Sequence, residues 1–63
     1  MKTVYDVRNI LKRYGIFIYT GNRTGDLDLM EAEVRELYKA QLIDELTFKQ
    51  AVLILRQEKR YLS

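Results

Sequence analysis

Large apolar residues recur along this chain with a helical period in three blocks. Val4, Val7, Leu11 and Tyr14 form the first stripe, which Ile10 widens. Leu27, Met30, Val34, Leu37 and Tyr38 form the second, and Phe48, Ala51, Val52 and Leu55 the third. The pattern predicts helices over about residues 4–14, 27–40 and 45–60, an all-α three-helix bundle in a single domain spanning residues 1–63. The run "AVLIL" is apolar over more than one face, so the third helix should sit between its neighbours or contribute to a subunit contact.

Polar residues mark the predicted ends. Thr3 suits the N-cap of the first helix, with Asp6 at its third position in a capping-box arrangement. Lys12 and Arg13 lie in its last turn, where cations complement the macrodipole. Gly15 then falls at the left-handed position past the end, which predicts Ile16 folding back against Leu11 in a Schellman-type stop. The second helix should start between Asp26 and Leu29, with Asp28 and Glu31 reading as a capping box. Glu31 and Arg35 are spaced for an i,i+4 ion pair. Asp44 can cap the third helix, with Ile43 and Phe48 spaced as a hydrophobic staple. Gln41 would then occupy a left-handed position that favours glycine, at a cost of about 1 kcal/mol.

One segment breaks the helical pattern. "GIFIYTGNRTGD" runs four large apolar residues into a glycine-rich polar turn. Its "IFIY" is strand-like in composition, but a single strand without a partner run cannot form a sheet in one chain. It reads as an apolar extended connector between the first two helices. Ile16, Phe17 and Ile18 are expected in the core, and residues 21–25 should turn the chain.

Composition limits the chemistry. A chain of 63 residues buries only about 60% of the surface exposed on unfolding, so its stability is marginal. It has no Cys and no His, which removes disulfides and the usual zinc, haem and iron–sulfur ligands. Regular helix packing is what remains to stabilise it. No apolar run approaches the ~20 residues of a membrane span, and the N-terminus lacks a signal peptide's apolar core. A cytoplasmic location is therefore expected, and the glycosylation sequon at Asn22 is read as chance.

Charge is segregated although the net value is only +2. Residues 1–25 carry five cations against Asp6, residues 26–45 seven acids against Arg35 and Lys39, and residues 46–63 four cations against Glu58. Such asymmetry points either to an anionic partner or to solvated helix faces.

Spacing decides among the candidate sites. "GNRTGD" is not a Walker A loop: its glycines are one residue too close, and Asp26 stands where the motif needs Lys. Asp26, Asp28 and Glu31 lack the alternating oxygen ligands and distant Glu of an EF-hand, so helix-start capping explains them better. No paired carboxylates or His suggest acid–base catalysis, and three short helices leave little room for an enzyme-sized pocket. The chain is read as non-enzymatic, with no cofactor and no metal.

Taken in order, "YDVRNILKRYGIFIYTG", "DLDLMEAEVRELYKAQLID" and "FKQAVLILRQEKR" resemble the YqgQ-like family of short bacterial proteins over nearly the whole chain. The resemblance implies a three-helix bundle and single-stranded nucleic-acid binding, and it brings no catalytic motif. Gln41 departs from the Gly that other members tend to carry in the second connection.

Nucleic-acid binding also has a direct motivation in the residues. Arg8, Lys12 and Arg13 lie on the outward side of the first helix, Arg23 in the following loop, and Tyr14 and Tyr19 within reach as stacking platforms. Cations tracking phosphates, with aromatics beneath bases, is how single strands are commonly held. A second basic strip comprises Lys49, Arg56 and Arg60, with Lys59 nearby; the two strips would form one groove if they adjoin. The competing structural explanation is that the tyrosines are half-buried core and the cations solvate helix faces. The rival function is a protein-interaction or dimerisation module, using the apolar excess in "IFIY" and "AVLIL".

Overall fold

The computed structural model describes residues 1–62 and consists of three helices, α1 (Val4–Arg13), α2 (Arg23–Lys39) and α3 (Glu45–Leu62). No strand occurs among the described residues. The second and third helices pack antiparallel as the larger contact, and α1 packs against both.

Local signals account for most helix ends. At the start of α1 the Thr3 hydroxyl accepts from the Asp6 N–H at 3.3 Å, and Asp6 accepts from the Thr3 N–H at 3.0 Å. Its end is a Schellman stop: Gly15, at φ 75°, donates to the Lys12 carbonyl, and Ile16 donates to the Leu11 carbonyl, both at 3.0 Å. The end of α2 repeats this motif with a different residue in the left-handed position. Gln41 has φ 62°, its N–H reaches the Tyr38 carbonyl, and the Leu42 N–H reaches Leu37, both at 2.9 Å. Asp44 then accepts from the Thr47 N–H at 2.8 Å and starts α3, with Ile43 and Phe48 both packed on the core.

The start of α2 corrects the sequence-based expectation. The helix begins at Arg23, and Asn22 rather than Asp26 or Asp28 is its cap, accepting from the Gly25 N–H at 2.8 Å. Gly21, at φ 86°, turns the chain immediately before the cap, so the polar turn closes within residues 20–22. A capping oxygen on Asn22 outweighs the weak helix propensity of Gly25, which the hydrophobic pattern alone had assigned to the turn. Asp28 is therefore not part of a capping box; it lies inside α2 and pairs with Lys59 at 2.6 Å.

The core consists of Val7 and Leu11 from α1, Leu27, Met30, Val34 and Leu37 from α2, and Ala51 and Leu55 from α3. Three aromatic residues depart from expectation. Tyr14 is on the bundle's edge, its hydroxyl donating to the Leu42 carbonyl at 3.0 Å. Tyr38 lies flat on Phe48, with ring centroids 4.3 Å apart, and covers that ring instead of entering the core. Phe17, expected inside, is 72% exposed.

Charge segregation is resolved in part within the fold. The acidic α2 faces cations of α3: Glu31 pairs with Arg56 at 3.2 Å as well as with Arg35 at 2.8 Å, and Asp28 pairs with Lys59. Burial opposes ionisation of Glu31, but hydrogen bonds from Arg56 and Arg35 outweigh it and hold its carboxyl below the usual range. The sequence blocks of opposite sign are thus in part interhelical ion pairs.

Candidate nucleic-acid interface

The connector between α1 and α2 has a side-chain period of two. Ile16 and Ile18 pack on the core, while Phe17 and Tyr19 project outward, Tyr19 being 88% exposed. Alternation of this kind is what a β-like run shows on an apolar surface, even without a ladder partner. Two polar contacts fix it. The Arg8 guanidinium donates to the Ile18 carbonyl, tying the connector to α1. Farther along, the Thr20 N–H and hydroxyl both donate to Asp26 Oδ1, tying it to α2.

Asp26 is buried, at 6% exposure, and lies in the first turn of α2. The Thr20 hydroxyl bond holds its carboxyl below the ordinary value against the opposing effect of burial, with help from the Thr20 N–H and the nearby charge of Arg8. Its burial is thus compensated, as an ionised buried group requires.

Two adjoining depressions share Arg8 and Tyr19. One is completed by Lys12, Phe17 and Ile18. The other, of about 190 Å³, is completed by Val4, Gly21, Arg23, Asp26 and Leu27. Together they bring three cations and two outward aromatic rings onto one side of the bundle. Lys12 makes no ion pair among the described residues, and Arg8 is bonded to a neutral carbonyl. Arg23 opens α2 rather than lying in a loop, and pairs with Glu58 at 2.8 Å on a largely exposed edge.

Other predicted candidates lie elsewhere or are engaged. Arg13 and Tyr14 line a separate depression with Leu42, Ile43 and Asp44, beside the second connection. On α3, Lys49 pairs with Glu45 at 3.3 Å, Arg56 with Glu31 and Lys59 with Asp28, and Arg60 also has interactions within the chain. None of these four α3 cations lines a depression containing Arg8 or Tyr19. Sequence reasoning missed Phe17 as an outward ring and Asp26 as a lining group. The strict alternation of "IFIY" was the available signal for Phe17; the signal for Asp26 was absent, because its burial depends on Thr20 returning to it.

The carboxylates considered for calcium have separate partners: Asp26 has Thr20, Asp28 has Lys59, and Glu31 has Arg35 and Arg56. Among the described residues no three metal-ligating side chains cluster, and no helix is long and apolar enough to cross a membrane.

Comparison with known proteins is consistent over the whole bundle. The uncharacterised protein YqgQ of Bacillus subtilis is 36% identical over 58 residues, covering 92% of this chain and 82% of that protein. The family model described as YqgQ-like matches residues 1–61, which include α1, α2, both connections and all of α3 but Leu62. The chain belongs to the YqgQ-like family.

Proposed function

We infer that this protein binds single-stranded nucleic acid, without catalysis, on the side formed by α1 and the first connector. The observation carrying this reading is the pair of outward rings, Phe17 and Tyr19, set among Arg8, Lys12 and Arg23. Exposing two large aromatic rings on a marginal 63-residue domain forgoes burial it could use, which favours a role in contact. Successive bases stack on such rings with little sequence preference, while the flanking cations meet phosphates. This surface is narrower than the one drawn from sequence: the α3 cations line neither of its two depressions.

Binding of a labelled single-stranded oligonucleotide tests the reading, followed by fluorescence anisotropy across a salt series. Affinity should fall as salt rises, because cation–phosphate contacts release counterions. It should fall again in Lys12→Ala/Tyr19→Ala, since Tyr19 is 88% exposed and Lys12 makes no ion pair among the described residues. Absence of binding at low salt, or affinity indifferent to both changes, overturns it.

A further inference from the structure

We propose that the depression between α1 and the start of α2 is a base-reading subsite, in which Asp26 selects a nucleobase carrying an exocyclic amino group over uracil or thymine. The proposal rests on the nucleic-acid reading above and adds a specificity to it. The depression joins one aromatic ring, Tyr19, two guanidinium groups, Arg8 and Arg23, and one carboxylate, Asp26. A ring to stack on, cations for the flanking phosphates and an acceptor for a base edge are the three parts of a nucleotide subsite. Its volume of about 190 Å³ is below the ~300 Å³ at which ordinary ligand pockets begin, so it suits one ring system only.

The carboxylate has capacity left for a ligand. Both hydrogen bonds from Thr20 end on Oδ1, and among the described residues none ends on Oδ2. Arg8 acts on Asp26 through its charge, while its own hydrogen bond goes to the Ile18 carbonyl. An ionised carboxylate accepts and cannot donate. A cytosine N4 amino group, or that of adenine or guanine, supplies the donor it lacks. Uracil and thymine offer only an imide N–H set between two carbonyl oxygens, which a carboxylate repels. The remaining surface, with Phe17 and Lys12, is indifferent to base identity, so one selective position sits within an otherwise general track.

Oligo-dC and oligo-dU of equal length, compared at neutral pH and one salt concentration, isolate the effect. Their backbones are the same and their rings equal in size. The expected result is tighter binding of oligo-dC by about tenfold, the size of one charged hydrogen bond gained against one repelled edge. Asp26→Asn should abolish or reverse that preference: its carbonyl oxygen can keep the Thr20 bonds while its amide turns a donor toward the base. Should that variant fail to fold, oligo-dC carrying N4,N4-dimethylcytosine asks the same question of the unaltered protein, and it should bind no better than oligo-dU. Equal affinity for oligo-dC and oligo-dU, or full affinity for the dimethylated probe, overturns the proposal and leaves general single-strand binding standing. Binding of neither oligonucleotide overturns both.

Discussion

The two connections between helices are built from the same parts and differ in what they expose. Each opens with a Schellman stop, at Gly15 or Gln41, and each closes on an Asx cap, Asn22 or Asp44. Between stop and cap the second connection holds only Leu42 and Ile43, just enough to reverse the chain. The first holds residues 16–21, and that extra length alternates inward isoleucines with outward aromatics. The shorter connection leaves no segment to spare for a ligand; the longer one can anchor itself with every second residue and present the others. Connections held by a rigid scaffold commonly carry function in this way.

The largest effect expected from this contrast is on binding. Phe17→Ala/Tyr19→Ala should weaken an oligonucleotide complex by about 1–3 kcal/mol for each ring lost, the usual worth of base stacking. Thermal stability should hardly move, since both rings are exposed and surface changes of this kind stay within about 0.5 kcal/mol. Leu42→Ala in the second connection serves as the counterpart and should leave binding unchanged. Anisotropy titrations beside thermal melts separate the two; a double variant that binds like the parent, or melts far below it, removes the distinction between the connections.

Next in size is the contrast between the two stops, which should respond with opposite signs. Gly15 adopts φ 75° with open space where a Cβ would project, so Gly15→Ala meets no clash and costs only the left-handed backbone, about 1–2 kcal/mol. Gln41 already bears that cost at φ 62°, and Gln41→Gly should recover about 1 kcal/mol. Urea unfolding measures both. The same sign for the two changes would mean that side-chain contacts of Gln41, not its backbone, decide its presence.

Acid should act on both connections through their buttressing carboxylates. Asp26 is held below its ordinary 3.8 by the Thr20 hydroxyl and N–H, and Asp44 below the same value by Thr47. In each case the folded pKa is lower than the unfolded one, so the unfolded chain takes up protons first on acidification. The stabilisation is complete above about pH 3.8 and is lost as pH falls through the folded values. Helical circular dichroism should therefore decline below that pH, and Asp44→Asn should flatten the decline by removing one titrating group. A decline equally steep in the variant would take Asp44 out of the acid transition.

The uneven legibility of the two connections has a physical basis. Stops and caps are local: Gly15, Gln41, Asp44 and Thr3 could be placed because their hydrogen bonds close within five residues. The start of α2 was misplaced because Gly25 looked like turn chemistry, whereas its N–H serves the Asn22 cap from inside the helix. Phe17 departs from expectation because a run of four apolar residues reads as a buried block, whereas its aliphatic and aromatic members alternate in and out. Non-local pairings were less accessible still. The α2 and α3 charges could be seen as opposite blocks, but their register, Glu31 to Arg56 and Asp28 to Lys59, follows only once the helices pack antiparallel.

The smallest effect is expected from that register. In a Lys49→Ala/Arg56→Ala/Lys59→Ala variant each lost ion pair is exposed and worth about 0.2–1 kcal/mol, so stability should drop modestly. Oligonucleotide affinity should fall only slightly, because these cations line neither depression beside the connector, and a slope of log affinity against log salt should stay near that of the parent. A Lys12→Ala change, removing one cation with no ion pair among the described residues, should flatten the slope by about 0.7, the share of a single phosphate contact on a single strand. If the α3 variant instead flattens it by two or three such contacts, the strand also runs along α3. The first connector would then be one end of a longer track.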